Sequence, residues 1–436
     1  MAEQDKINDE APRSPKKALP SLSEADWLGG PRTVQVFAAL SGDAGETRAV
    51  GGAVRDALLG RPVTDVDFAT TILPEKVMAR ARAAGLKAVP TGLEHGTVTL
   101  VADGTPFEVT TLRRDVETFG RHATVTFTKD WAEDAKRRDL TLNALYAGPD
   151  GTLFDPLGGY PDLLAGKVRF IGDADARIKE DYLRILRFFR FNASYGKGAF
   201  DPDGLSACVR QRAGLRQLSA ERIASELKRL LVAPRAIEAV WVMFDHGLIC
   251  DILGSVPRLV RFARIIDIET ALETPLSRDR GAIVRLAALS VFVAEDAKRL
   301  GARFRLSNAE QAILALGGAP FCEGLPDEQA ARRLLYQLGP ERYAARVLLA
   351  WAEGRPPARS PDWQGAAALP AHWRAPSFPL RGPDIMALGD FSGPAIGAML
   401  RKVEQHWIEG DFAEDRDGLL ALAKAFAASS KEGRGR

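Results

Sequence analysis

Cysteine is scarce in this 436-residue chain: Cys208, Cys250 and Cys322 are all it has, far apart and odd in number. That pattern excludes a disulfide framework and a clustered thiolate zinc site, and it fits buried thiols in a reducing cytoplasm. Histidine is nearly as rare. His95, His122, His246, His372 and His406 show no metal-ligand spacing and no adjacent His-Asp pair. No run of about 18 apolar residues occurs and no apolar signal segment opens the chain, so neither a membrane span nor secretion is expected. No repeat in the range of about 20–50 residues points to a solenoid. Net charge is only +2, which alone implies no charged partner.

What is present is ordinary in bulk and uneven in detail. A hydrophobic share of 46% and a charged share of 27% suit a globular protein, and the length allows two to four domains with full cores. The positive charge is concentrated. Residues 167–235 hold 15 Lys and Arg against 8 Asp and Glu, so the remainder of the chain is net negative. A basic central segment fits a phosphate-rich partner, although a solvated helical face would look similar. Residues 1–22 are polar and carry three prolines, which predicts a disordered tail.

The chain is organised around Ala49-Val50-Gly51-Gly52-Ala53-Val54-Arg55-Asp56, followed by Asp65-Val66-Asp67. It reads as strand, diglycine turn, helix and a second strand carrying two carboxylates. On a strand, Asp65 and Asp67 leave from the same face. At ~4 Å and an effective dielectric of ~20 they repel by about 4 kcal/mol, which a divalent cation between them would relieve. Carboxylates on a rigid strand suit Mg²⁺, which shares its remaining shell with substrate phosphates. Gly51 and Gly52 let backbone N–H groups approach a triphosphate, with a helix N-terminus behind them. A lone D-x-D or Gly-Gly is usually a turn or a cap; the order of the elements is what carries information here.

Around this stretch the pattern alternates. A helix is predicted near Trp27 and residues 33–40, and strands over Arg48–Val50, Val66–Thr70, Thr97–Ala102 and Pro106–Thr111. Glu75–Ala84 reads as a helix and Asp103-Gly104 as a hairpin turn. Glu108 interrupts an apolar strand, which marks either a solvent-facing position or a functional one. Residues 114–129 have no clean period and read as a connecting loop. Arg137-Arg138-Asp139 lies at a helix end. There it is an ordinary salt-bridged face with Glu133 and Asp134, or Arg138 is a phosphate fork and Asp139 and Asn143 reach ribose hydroxyls from one helix face. Asp150-Gly151 is expected to turn a second hairpin.

In Glu180-Asp181-Tyr182-Leu183-Arg184-Ile185-Leu186-Arg187-Phe188-Phe189-Arg190-Phe191, apolar residues cover more than half of a helix, so it is largely buried. Buried charge requires partners, and both a salt-bridge ladder and a nucleotide base qualify. A carboxylate accepts from an exocyclic amino group while a guanidinium donates to a ring nitrogen. Asp181 with Arg184 would therefore accept C and A and reject U and G. Leu218–Leu227 begins with a capping signal at Ser219. From about 236 the spacing is helical, broken near 254–257, 317–326 and 353–376, the last read as a long irregular connection.

The run VGGAVRDALLGRPVTDVDFAT, the RRDxxxNA match at Arg137–Ala144 and the ED-xx-R-xx-R run at Glu180–Arg190 together resemble the class II tRNA nucleotidyltransferases (CCA-adding enzymes) and bacterial poly(A) polymerases. The resemblance covers about residues 47–255 strongly and the C-terminal third weakly. It implies an α+β chain, with a mixed α/β, polymerase-beta-like nucleotidyltransferase head at 23–165 and an all-α remainder. The remainder divides into a neck at 166–255 bearing the base-recognition helix and a body and tail at 256–436. The implied activity is template-independent addition of C, C and A to the tRNA 3′ end from CTP and ATP, with pyrophosphate released. By resemblance, Asp65 and Asp67 hold two Mg²⁺, and Glu108 is a third ligand or a base assisting the 3′-hydroxyl. Gly51, Gly52, Arg55, Arg138, Asp139 and Asn143 bind nucleotide phosphate and ribose. Asp181 and Arg184 read the base, and Arg187 and Arg190 back them up or meet phosphate.

The resemblance also makes 114–129 a flexible loop that switches between C and A, with Arg114-Asp115 and Gly120-Arg121 as its elements. Leu218–Leu227 becomes a brace without chemistry. Phe378–Phe412, with a helix from near Pro394 and basic Arg401-Lys402, is implied to meet the tRNA backbone. Alternatives remain: an enzyme adding only CC or only A, a poly(A) polymerase, or an RNA-binding module without activity. The intact loop argues against CC addition alone. No GRRFRLAH-like run or long basic C-terminal extension supports the polymerase, and a pure binder has no use for a self-repelling carboxylate pair.

Overall fold

The computed structural model describes residues 19–42, 45–119, 122–272, 277–319, 325–354, 356–389 and 391–432. These form two compact units. One runs to Arg222 and includes Ala233–Arg235; the other comprises Ile223–Val232 and everything from Ala236.

The first unit is built on a seven-stranded sheet ordered β3-β4-β5-β2-β1-β8-β9. Its strands are β1 (Thr47–Val50), β2 (Asp67–Thr70), β3 (Lys87–Gly92), β4 (Thr97–Ala102), β5 (Thr105–Thr111), β8 (Tyr146–Ala147) and β9 (Leu153–Phe154). All neighbours are antiparallel except β2 and β5, which run parallel with Phe68 opposite Val109. Alternation assigns the faces. Val98 and Leu100 on β4, Phe107 and Val109 on β5, and Phe68 on β2 are buried. Phe68 meets Phe37 edge-on at 5.0 Å, so the helix Pro31–Leu40 helps cover this side. The opposite face is left to Asp67 and Glu108. The Asp103-Gly104 turn takes the positive φ values of 46° and 78° that a two-residue hairpin with matching twist requires.

Most elements lie where the pattern placed them, including the helix Pro74–Ala83 and the hairpin over Asp150-Gly151. Four do not. Residues 114–129 are largely an antiparallel hairpin of β6 (Arg113–Phe119) and β7 (His122–Phe127) rather than a loop. In the sequence its second strand does alternate, with Ala123, Val125 and Phe127 spaced by polar residues, but the run is brief and follows a charged stretch; Gly120 and Arg121 lie outside the described residues. Asp65 precedes β2 instead of belonging to it. Asp139 follows the helix Trp131–Lys136, and Asn143 ends a 3₁₀ turn, so the two do not share an α-helical face. The supposed connection 353–376 contains the helix Pro361–His372, started by proline at its first position. At the other end, Ser21 already pairs with Thr152 and Leu22 is buried, so packing reaches into the expected tail.

The helix Leu183–Tyr195 belongs to the same unit as the sheet, with Phe188 stacked on Phe170 at 5.3 Å. The second unit has no strand among its described residues. Arg261, 5% exposed, donates to the carbonyls of Val291, Gly317 and Leu349 and so ties three helix ends together. Around Ile385, Val403, Trp407 and Leu419 a separate apolar cluster forms the tail, whose helix Pro394–Glu409 starts where expected.

Candidate active site

The carboxylates come first. Asp65 and Asp67 flank buried Val66, both reach solvent, and the charge of Asp65 acts on Asp67, although only Asp67 is on the strand. The β2–β5 register, extended by one residue, sets Asp67 beside Glu108 on neighbouring strands about 4.8 Å apart. Burial, then the charge of Glu108, and more weakly that of Asp65 push the Asp67 carboxyl up to about 6, with Arg138 pulling the other way. The side chain still touches water, which screens part of this repulsion. Among the described residues neither Asp67 nor Glu108 has a side-chain hydrogen bond or ion pair, and no three His, Cys, Asp or Glu groups close around a metal position. Outward carboxylate donors on neighbouring strands still fit a hard divalent cation that completes its shell with substrate oxygens.

Behind this face stands the diglycine turn. Gly51 adopts φ 71° and ψ −114°, a conformation that strains any side chain, and it opens the helix Gly52–Leu58. Its N–H donates to the Leu145 carbonyl at 3.0 Å and is therefore already engaged. A Cβ on Gly51 would lie 3.9 Å from an Arg138 terminal nitrogen, which places that guanidinium against the turn. Arg138 is held from its other side by Asp134 at 3.2 Å and by the Tyr146 hydroxyl at 3.1 Å. Asp134 is fully buried. Burial would raise its carboxyl, but Arg138 and Arg137 hold it below the usual carboxylate range. The salt bridge to Asp134 is therefore present, and it holds the Arg138 guanidinium beside the diglycine turn.

A second group is a closed network. Asp139 accepts from Arg187 Nε at 2.6 Å and from Asn143 Nδ2 at 3.0 Å. Asn143 Oδ1 accepts from Arg55 at 2.7 Å, and Arg55 in turn donates to Asp56 and to the Tyr195 hydroxyl. Burial would raise the Asp139 carboxyl, but Arg187 and Asn143 hold it well below the ordinary value. The diglycine motif, the RRD motif and the Leu183–Tyr195 helix are thereby joined by side chains.

The expected base-reading pair is not joined. Asp181 sits in the break between the helices Ala174–Glu180 and Leu183–Tyr195, with extended backbone, and Arg222 grips its carboxylate at 2.6 and 3.2 Å. Arg184 instead bonds Glu180 at 2.6 Å and the Arg177 carbonyl at 2.8 Å. Arg187 belongs to the Asp139 network, and Arg190 lies 4.0 Å over the Phe191 ring. Asp181 lies outside the helix that carries Arg184, so the two side chains are anchored separately. Arg401 and Lys402 are exposed on a helix of the other unit, with Lys402 Nζ 3.9 Å from the Phe426 ring.

Residues 47–169 match the Poly A polymerase head domain, and 199–257 match a family described as the probable RNA and SrmB-binding site of polymerase A. The mitochondrial CCA tRNA nucleotidyltransferase 1 of Mus musculus is 36% identical over 400 residues, 87% of this chain and 86% of the mouse protein. The chain belongs to the CCA tRNA nucleotidyltransferase family. It is an α+β enzyme with a nucleotidyltransferase head and a helical remainder. The CCA-adding enzyme of Geobacillus stearothermophilus is 32% identical over 85% of this chain and 91% of its own length. A crystal structure of the Bacillus stearothermophilus CCA-adding enzyme in complex with CTP superposes with a TM-score of 0.71. It is 28% identical, and the match covers 94% of this chain and 99% of that one.

Within this family member the sequence reading missed Tyr195, Tyr146 and Arg177. Arg177 donates to the Arg138 carbonyl at 2.8 Å and to Glu180. Asp134 was legible as a salt-bridge partner four residues before Arg138, and that pair is present. The missed contacts to Arg138 and Arg55 span 8 to 140 residues, so local spacing did not announce them.

Proposed function

We propose that this chain adds C, C and A in turn to the 3′ end of tRNA, using CTP and ATP without a nucleic-acid template. The observation that supports this most is the coexistence, in one compact unit, of an outward carboxylate face, an arginine held beside the diglycine turn and a partly exposed Asp181 at a helix break. The Mus musculus relative, similar over nearly the whole chain, adds weight.

In this reading Asp65 and Asp67 hold two Mg²⁺, which when bound neutralise the triphosphate and acidify the 3′-hydroxyl. Glu108 takes up the proton from that hydroxyl or steadies the metal beside it. The 3′-oxygen forms the new bond to the α-phosphorus, the α–β bridging P–O bond breaks and pyrophosphate leaves. Arg138 meets the leaving charge, so the protein's contribution is largely positioning and neutralisation. Asp139 and Asn143 set the ribose position, and each has part of its hydrogen-bonding capacity fixed within the network. Asp181 and Arg184 read the base from two separately anchored positions. Arg401 and Lys402 are proposed to meet the tRNA backbone. A cytoplasmic location is part of the proposal, resting on the scattered cysteines; the mouse relative is named mitochondrial.

The test is extension of tRNA ending in the discriminator base, with CTP alone, ATP alone and both. Two additions with CTP and three with both are expected. Arrest after CC with both nucleotides, addition only to tRNA already ending in CC, or long A tails would replace this reading with a partial enzyme or a poly(A) polymerase.

A further inference from the structure

We infer that Arg222 is a specificity-determining residue that acts through Asp181; this rests on the reading of Asp181 as a base-recognition group. Arg222 lies in the first turn of the helix Ala220–Leu231, in the segment to which the sequence pattern assigned only a bracing role. Its two terminal nitrogens donate to Oδ1 at 3.2 Å and Oδ2 at 2.6 Å of Asp181. The Leu183 N–H donates to Oδ1 at 3.1 Å. A carboxylate offers about four acceptor positions, and three are thereby filled. The fourth lies on Oδ2, and the two-pronged contact fixes the carboxylate plane and hence its direction.

That geometry matters because a free carboxylate is an indiscriminate acceptor. It accepts a hydrogen bond from the amino group of C or A, and after a small rotation it accepts one equally well from the ring N–H of U or G. Asp181 stands outside both flanking helices on extended backbone, so regular helix geometry does not hold its side chain. The guanidinium of Arg222 supplies that restraint. It converts a rotatable acceptor into a single acceptor of fixed direction, able to receive from an amino group at one position and unable to follow the ring N–H to another. Both side chains are partly open to solvent, at 28% for Arg222 and 18% for Asp181, so the remaining lone pair stays reachable.

The experiment compares full-length wild type, Arg222→Gln, Arg222→Lys, Asp181→Ala and the Asp181→Ala/Arg222→Gln double variant. The readout is kcat/KM for CTP against UTP and for ATP against GTP on tRNA primers. Arg222→Gln is expected to lower discrimination by about tenfold or more, the scale of one lost base-reading contact. Arg222→Lys, charged but unable to grip both oxygens, should fall between. In the Asp181→Ala background Arg222→Gln should produce no further loss, because the effect passes through one carboxylate. A merely structural Arg222 would lower turnover of right and wrong nucleotides alike and leave the ratio untouched. Wild-type discrimination in Arg222→Gln, with or without a lower KM, would overturn the inference while a sensitive Asp181→Ala kept the base-recognition reading. Undiminished discrimination in Asp181→Ala would overturn both.

Discussion

Two groups of carboxylates in the same unit are treated in opposite ways. On the sheet face, Asp67 and Glu108 stand side by side without a cationic hydrogen-bond partner among the described residues, and the Asp67 carboxyl is pushed up to about 6. In the network that joins the RRD motif to the Leu183–Tyr195 helix, Asp139 is buried, accepts hydrogen bonds from Arg187, Asn143 and the Leu140 N–H, and is held well below its ordinary value. The first arrangement leaves electrostatic repulsion for an incoming cation to relieve. The second has been relieved internally by Arg187 and Asn143. The same residue type therefore stands in one place with repulsion still open to relief and in the other with its charge already matched.

The sharpest test of that contrast is Asp67→Asn. Activity should fall by at least about 10³-fold, the scale of losing a key electrostatic contact. Stability without metal should hold or rise by less than about 1 kcal/mol, because an exposed like-charge repulsion is removed. Incorporation assays paired with urea unfolding measure both, and a clear loss of stability would mean that Asp67 is structural.

Asp139→Ala should do the reverse. Removing one partner of a buried pair leaves the Arg187 contact and the Asn143 amide unmatched, so destabilisation of about 2–4 kcal/mol is expected in the same unfolding assay. A neutral result would show that the network is dispensable to the fold.

A smaller effect follows from pH. Below about 6 a proton occupies Asp67 and must be displaced, so apparent Mg²⁺ affinity should fall about tenfold per pH unit there and level off above. Without metal the sign is opposite. The raised folded-state value means that Asp67 favours folding most at low pH and loses that contribution as pH rises from about 4 to about 6. Mg²⁺-dependent shifts in thermal midpoint at pH 5, 6 and 7.5, without nucleotide, measure this. A flat affinity across that range would remove Asp67 from the metal site.

Much of the fold was legible because strands and turns announce themselves locally. The 97–111 hairpin appeared almost residue for residue, since alternating apolar side chains and an Asp-Gly turn are short-range signals. The β6–β7 hairpin did not, because the alternation of Ala123, Val125 and Phe127 is brief and stands beside a strand, Arg113–Phe119, in which four of seven residues are charged. The helix Pro361–His372 was hidden among prolines and small residues that resemble a connection. At the site, residue identities were legible and partnerships were not. Arg184 looked matched to Asp181 by linear spacing, yet the helix break at Asp181 sends the two side chains to Glu180 and Arg222.

By itself, the sequence determined the inventory: two aspartates at alternating positions, a turn requiring glycine, an RRD motif and a run of arginines on a mostly apolar helix. These depend on side-chain chemistry and on neighbours within a few residues, which the linear order specifies. Tertiary structure alone decided which charge meets which. Arg55 finds Asn143 across 88 residues, Arg187 finds Asp139 across 48 and Arg222 finds Asp181 across 41. Charged groups taken out of water must be paired where packing happens to bring them, and packing is set by apolar faces that carry no record of those partners.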